Sequence, residues 1–299
     1  MSAPDQQRGI VVAVDGSPAS NAAATWAAHE AALRKIPLTV VHAVTTPTAT
    51  FPPVPYPESL VVRLEDEGKK AIMHAIKLAE ESLPADAKIT INRELVYSSP
   101  ALALIKMSDE AAMVVVGTAG RGLLARGVLG SVSATVVRHA NCPVAVVHGA
   151  DVPDQPEAPN APVLLGVDGS PASGLATAIA FDEASRRGVD LVALHAWSDI
   201  AISELPEADW SSLEAEAHRS LAENLAGWQE RYPDVTVHRL VVRDGPARQL
   251  AEQSKTAQLL VVGSHGRGGL SGILLGSVSN SVLHSVRIPV IVARPPASD

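Results

Sequence analysis

The sequence predicts two tandem α/β domains, each a doubly wound sheet of five parallel strands. Three observations predict it. Val-Asp-Gly-Ser-Pro-Ala-Ser at 14–20 recurs unchanged at 167–173, and Gly-Ser-Val-Ser at 130–133 recurs at 276–279. Within each copy, short apolar runs alternate with longer helical segments, the strand–helix–strand order that leads to right-handed crossovers and a parallel sheet. Hydrophobic residues make up 46% of the 299 residues but aromatic residues only 3%. The cores are therefore built from Ala, Val, Leu and Ile, which suits strands covered by helices on both faces.

Taken in order, residues 10–14 form a continuous apolar run that reads as a buried strand. Asp15-Gly16 ends it, Ser17 is placed to cap a helix, and Pro18 stands where a first helical residue tolerates proline. The Ala-rich stretch 22–34 is helical, 38–44 a second strand and 58–83 a long helix with interleaved charges. Residues 89–96 alternate as a strand nearer an edge does. A helix over 100–109, a strand over 113–116, a helix over 131–139 and a strand over 144–147 complete the first copy. The second copy places strands near 163–167, 191–194, 235–242, 259–262 and 290–292. A His-Ala pair follows the second apolar run each time, at His42-Ala43 and His195-Ala196.

The copies differ in length. The aspartate offset is 168 − 15 = 153 and the glycine-loop offset 276 − 130 = 146, so the first copy holds about seven extra residues. The proline-rich stretch 45–57 is the place for much of that excess. Residues 150–162 contain Pro153, Pro156, Pro159 and Pro162 and read as a semi-extended linker. The domains are then 1–149 and 163–299.

Lys plus Arg number 24 against 32 Asp plus Glu, a net charge of −8 with no basic cluster. Nucleic acid and anionic membranes are poor partners for such a chain. The polar start, Met1 to Arg8, lacks an apolar secretory core, and no run approaches the roughly 18 apolar residues of a membrane span. The single Cys142, just before Pro143 and an apolar run, reads as a small buried hydrophobe. It fits a reducing, cytoplasmic setting.

The chemistry-bearing motif follows the fourth strand of each copy. Gly117-Thr118-Ala119-Gly120 is followed, nine residues on, by Gly130-Ser131; Gly263, Gly266 and Gly276-Ser277 repeat that spacing. Glycines let backbone N–H groups approach an anion with no Cβ in the way. Ser131 and Ser277 open helices whose free N–H groups and dipole favour phosphate. Ser133 and Ser279 are placed to add hydroxyl donors, and Arg121, Arg126 and Arg267 to supply charge. The loops run from Val116 through Gly122 and from Val262 through Gly268, the second with Ser264-His265 where the first has Thr118-Ala119. A flexible surface loop is the plain alternative, but two copies of one spacing favour a phosphate cradle. The dinucleotide pattern wants its glycines after the first strand, and no Gly-Lys-Ser/Thr follows either loop, so neither of those motifs applies. Asp15 and Asp168 end the first strands, where an open parallel sheet binds ligands if the first and fourth strands are neighbours. Each is then placed to accept hydrogen bonds from adenine or ribose. A turn aspartate is the alternative for either residue alone.

These motifs resemble the universal stress protein family, and the whole chain outside linker and termini resembles its tandem-domain, mycobacterial-type form. The spaced glycine loop is similar to that of the ATP-binding branch. The resemblance implies strand order 3-2-1-4-5, an adenine nucleotide α-hydrolase-like fold, and one ATP between the first and fourth strands of each domain. It also implies pairing through the fifth strands, here 144–147 against 290–292. It places adenosine at Ala13, Val14, Asp15 and Ala43, and at Gly166, Val167, Asp168 and Ala196. The phosphates fall at Gly117, Gly120, Arg121, Gly130, Ser131, Val132 and Ser133, and at Gly263, Gly266, Arg267, Gly276, Ser277, Val278 and Ser279.

Catalysis is poorly supported. The glycine loops hold no Asp or Glu to carry Mg²⁺ or orient water. His265 could serve as a base in the second copy, but Ala119 stands at that place in the first. His42 and His195 lie in buried strands and read as core histidines. The expectation is a regulatory, stress-linked ATP-binding protein, not an enzyme, with Mg²⁺ allowed on the phosphates, a homodimer and an unnamed protein partner. The alternatives are a slow ATPase or nucleotidyl-transfer enzyme, and a cyclic-AMP-binding interaction module.

Overall fold

In the computed structural model the described residues are 8–45, 58–118, 129–149, 160–196, 207–266 and 275–295. The proline-rich stretch after Thr45 and most of the expected linker lie outside them. The chain divides into two compact units, breaking between Asp151 and Val152.

The first unit runs β1 (Ile10–Ala13), α1 (Pro18–Arg34), β2 (Leu38–Val44), α2 (Glu58–Ser82), β3 (Ile91–Tyr97), α3 (Pro100–Met107), β4 (Met113–Gly117), α4 (Ser131–His139) and β5 (Val144–Val147). β1 lies parallel between β2 and β4, β3 flanks β2 and β5 flanks β4, giving the order β3-β2-β1-β4-β5. Ile10 stands level with both Leu38 and Met113. β1 is apolar throughout because it is the central strand, and Ile10, Val11 and Val12 are wholly buried. α1 packs with α2, and α3 with α4; α1 covers β1, β4 and β5, while α3 lies against β1 and β2.

Local chemistry explains how β1 passes into α1. Gly16 takes a φ of 80°, a left-handed conformation that glycine adopts without strain. The Asp15 carboxylate accepts the Ser17 N–H at 2.9 Å, closing the turn. The Ser17 side chain then caps α1 by accepting the Ser20 N–H at 3.2 Å, and Pro18 takes the first helical position. α1 buries Ala23, Ala24, Ala27, Ala28 and Ala31, whose small side chains let the helix lie close on the sheet.

The second unit repeats the plan with β6 (Val163–Gly166), α5 (Pro171–Arg187), β7 (Leu191–Ala196), α6 (Glu207–Arg231), β8 (Val237–Val242), α7 (Pro246–Gln253), β9 (Leu259–Gly263), α8 (Ser277–Ser285) and β10 (Val290–Ala293). Its strand order is β8-β7-β6-β9-β10, all parallel. Gly169 (φ 77°), the Asp168–Ser170 turn and the Ser170 cap on Ser173 reproduce the first unit's geometry. The predicted fold class stands, and strand ends differ from the sequence reading by about two residues at most.

Candidate functional site

The strand order reverses between β1 and β4, because the chain leaves them toward opposite sides of the sheet. That divergence opens a crevice at the strands' carboxyl ends. In the first unit it holds a cavity of about 260 Å³, and in the second, between β6 and β9, one of about 530 Å³.

Each wall has a clear origin. β1 contributes Ala13 and, just past its end, Val14 and Asp15; β2 contributes Val41, His42 and Ala43; β4 contributes Val116 and Gly117. α3 adds Pro100, Ala103 and Leu104, an apolar wall, and the head of α4 adds Gly130, Ser131, Val132 and Ser133. β2 outruns β1, whose last paired residue, Ala13, stands level with Val41. Val14 N–H donates to the Val41 carbonyl at 2.9 Å, so by ladder alternation the Ala43 backbone faces the cavity where no strand continues.

The α4 head is suited to an anion. Gly130 is its N-cap and provides no side-chain cap, so the first-turn N–H groups of Ser131, Val132 and Ser133 have no partner within the helix. The Gly130 N–H donates to the Thr118 carbonyl, and Thr118 N–H donates to Val147, which ties the helix head to the end of β4. α8 is built alike on Gly276, whose N–H donates to the Ser264 carbonyl at 2.7 Å.

Of the expected site residues, Ala13, Val14, Asp15, Ala43, Val116, Gly117, Gly130, Ser131, Val132 and Ser133 line the first cavity. Gly166, Val167, Asp168, Ala196, Val262, Gly263, His265, Gly266, Gly276, Ser277, Val278 and Ser279 line the second. Ala119, Gly120, Arg121, Gly122, Arg126, Arg267 and Gly268 lie outside the described residues.

The structure bears on three expectations. Thr118 and Ser264 do not line the cavities; Ser264 is wholly buried, its N–H donating to Ala293 and its hydroxyl bonded to His265 Nδ1. The Ser133 and Ser279 hydroxyls are engaged within the fold, each donating its one proton, at 2.6 Å, to the carbonyl of Gly117 or Gly263. They fasten the helix head to the strand end. Gly117 and Gly263, which line the cavities, are also small for the sake of the fold. A Cβ on Gly117 would stand 2.7 Å from the Ala19 carbonyl carbon, and one on Gly263 3.0 Å from that of Ala172. The space they save lets α1 and α5 cross the strand ends.

Sequence reasoning also missed residues. His42, half-buried, and His195, buried, are part of the cavity walls, each ring bonded through Nδ1 at 2.7 Å to the carbonyl of Val14 or Val167. Leu104 with Pro100, and Leu250 with Pro246, were absent from the candidates although the repeat marked them. Their offsets, 250 − 104 and 246 − 100, are both 146, the same as that of the glycine loops.

Comparison with known proteins agrees with this architecture. The sequence pattern of the Universal stress protein family matches residues 8–148 and again 160–294. The chain is 60% identical to a universal stress protein of Mycobacterium tuberculosis over 294 residues, covering 98% of this chain and 99% of the relative. A second from the same organism is 51% identical with the same coverage. Among solved structures, a universal stress protein from Archaeoglobus fulgidus superposes with a TM-score of 0.69 at 19% identity, covering 99% of both chains, which shows a shared fold. With both halves matched by one family and the matching relatives spanning both, this chain belongs to the universal stress protein family and carries two of its domains in tandem.

Proposed function

We propose that the protein is a nucleotide-dependent regulator in which each unit holds one ATP, the nucleotide state setting its conformation or its choice of protein partner under stress. The observation that carries this reading is the duplicated cavity. Each joins an apolar wall, a carboxylate at a strand end and an uncapped helix N-terminus within one crevice. Adenine sits against Leu104 and the Ala43 backbone, ribose near Asp15, and the phosphates on the α4 head; Leu250, Ala196, Asp168 and α8 do the same in the second unit. Mg²⁺ is expected on the phosphates rather than on a protein cage, since no cluster of three or more metal-ligating side chains occurs among the described residues. The described walls of each cavity carry a single carboxylate. That supports holding over turnover, because hydrolysis needs further groups to orient water. No helix among the described residues is long and apolar enough to cross a membrane. We place the protein in the cytoplasm and as a homodimer. Mass spectrometry of freshly purified, denatured protein is expected to release adenine nucleotide approaching two per chain. A nucleotide-free protein with no affinity for millimolar ATP would overturn the reading.

A further inference from the structure

We propose that His265 makes the second site recognise phosphate in a proton-dependent way that the first site lacks. The inference rests on the nucleotide reading and deepens it. His265 is rooted at the phosphate end of its cavity. A Cβ on Gly276, the N-cap of α8, would lie 3.4 Å from the His265 Cα and 3.6 Å from the Gly266 nitrogen, so the histidine backbone is packed against the helix head. His265 lines the cavity together with Asp168, Gly266 and Ser277. The Ser170 hydroxyl donates to the His265 carbonyl at 3.2 Å, which pins the backbone to the turn that heads α5.

The ring is held by a group that tolerates either charge state. His265 Nδ1 lies 2.9 Å from the hydroxyl of Ser264, a residue with no solvent exposure. A hydroxyl both donates and accepts, so it gives its proton to the neutral ring's bare Nδ1 and accepts the N–H of the protonated ring. Protonation therefore breaks no hydrogen bond there. It puts a positive charge on a residue of the cavity wall that also holds the α8 head, where a phosphate would lie. Imidazoles change charge between about pH 5 and 8.

Among the described residues, the other ionisable side chains on this cavity's wall are Asp168 and His195. Asp168 Oδ2 would be 2.7 Å from a Cβ on Gly266, the residue after His265, so a carboxylate stands at this end of the cavity. His195 is engaged by the Val167 carbonyl through Nδ1. The α8 head presents partial positive charge and opposes protonation until an anion covers it. Bound phosphate reverses that balance, so phosphate binding and proton uptake favour each other reciprocally. In the first copy the matching residue is Ala119, which has no proton to gain.

The test uses the full chain carrying Asp15→Asn, which silences the first site, and calorimetric titration with ATP and with adenosine between pH 8 and 5.5. Titrations in two buffers of different ionisation heat report proton uptake. ATP affinity is expected to rise about tenfold more on acidification than in the same protein with His265→Gln, within the ~5–150-fold range of usual site couplings. The comparison removes the contribution of the terminal phosphate, which protonates in the same range in both proteins. Adenosine affinity is expected to be the same in both, which also shows that the variant is folded. Ser264→Ala, which frees the ring, is expected to lose part of the slope. Equal ATP slopes with and without His265 would overturn the inference while leaving the nucleotide reading intact. Failure of both ATP and adenosine to bind would overturn the nucleotide reading itself.

Discussion

At the scale of single residues, the site depends on close backbone approach as much as on polar groups. Gly117→Ala sets a methyl against the Ala19 carbonyl, with which neither backbone can easily dispense. The expected outcome is about 1–3 kcal/mol of destabilisation, the usual range for overpacking, together with loss of nucleotide because the head of α1 is displaced. Gly263→Ala, with a 3.0 Å approach, is expected to cost less. A circular-dichroism melt beside a nucleotide assay checks this; nucleotide loss with an unshifted melt would leave direct ligand contact as the reason for glycine. Asp244 carries a separate prediction. Hydrogen bonds from Gln249, Arg248 and the Gly245 N–H hold its carboxyl down to about 2, below its ordinary 3.8. Because the folded value is the lower one, the stabilisation is fully present above about pH 4. It fades as pH falls toward 2. Asp244→Asn is therefore expected to narrow the stability difference from the parent between pH 4 and 2, read by acid titration of the circular-dichroism signal.

At the scale of elements, the two copies solve one geometric problem with different residues. α5 ends at Gly188 with φ 64°, whereas α1 ends at Lys35 with φ 56°. A lysine there bears the left-handed cost that glycine avoids, roughly 1–2 kcal/mol. Lys35→Gly is expected to raise stability by about 1 kcal/mol in a urea melt, part of the gain being offset by the freer unfolded chain. No stabilisation would mean that the lysine side chain makes up the difference. The helix caps were legible beforehand because Ser17-Pro18 and Ser170-Pro171 pair the preferred N-cap with the preferred first residue. The strand ends were less so. β7 continues to Ala196, beyond the apolar run, because β8 gives it a partner as far as Val242.

At the scale of the whole molecule, each unit has its own cavity. Ligand bound in one unit stabilises that unit by mass action, about 2.7 kcal/mol at 100 times the dissociation constant. Asp15→Ala is expected to abolish ATP-dependent protection of β1 and β4 from hydrogen exchange while leaving that of β6 and β9. Equal loss in both units would contradict independent sites.

What the sequence alone determined is the duplication and the alternation of elements. Repeats, caps and apolar periodicity are local properties, and the placing of Asp15 and Gly130–Ser133 at one crevice follows from them once the first and fourth strands are neighbours, whereas Ala43 came only with the family resemblance. The tertiary structure decided what each side chain faces. A serine one turn into a helix reads as a phosphate donor; in the fold its hydroxyl donates to the Gly117 carbonyl 2.6 Å away. A strand histidine reads as core until the early end of β1 leaves the Val14 carbonyl for its ring and opens a cavity beside it. Leu104 reads as an ordinary helix residue until α3 folds back over β1 and β2. Each of these contacts joins residues far apart in the chain, and hydrogen-bond capacity is assigned by whichever partner arrives, which no local pattern records.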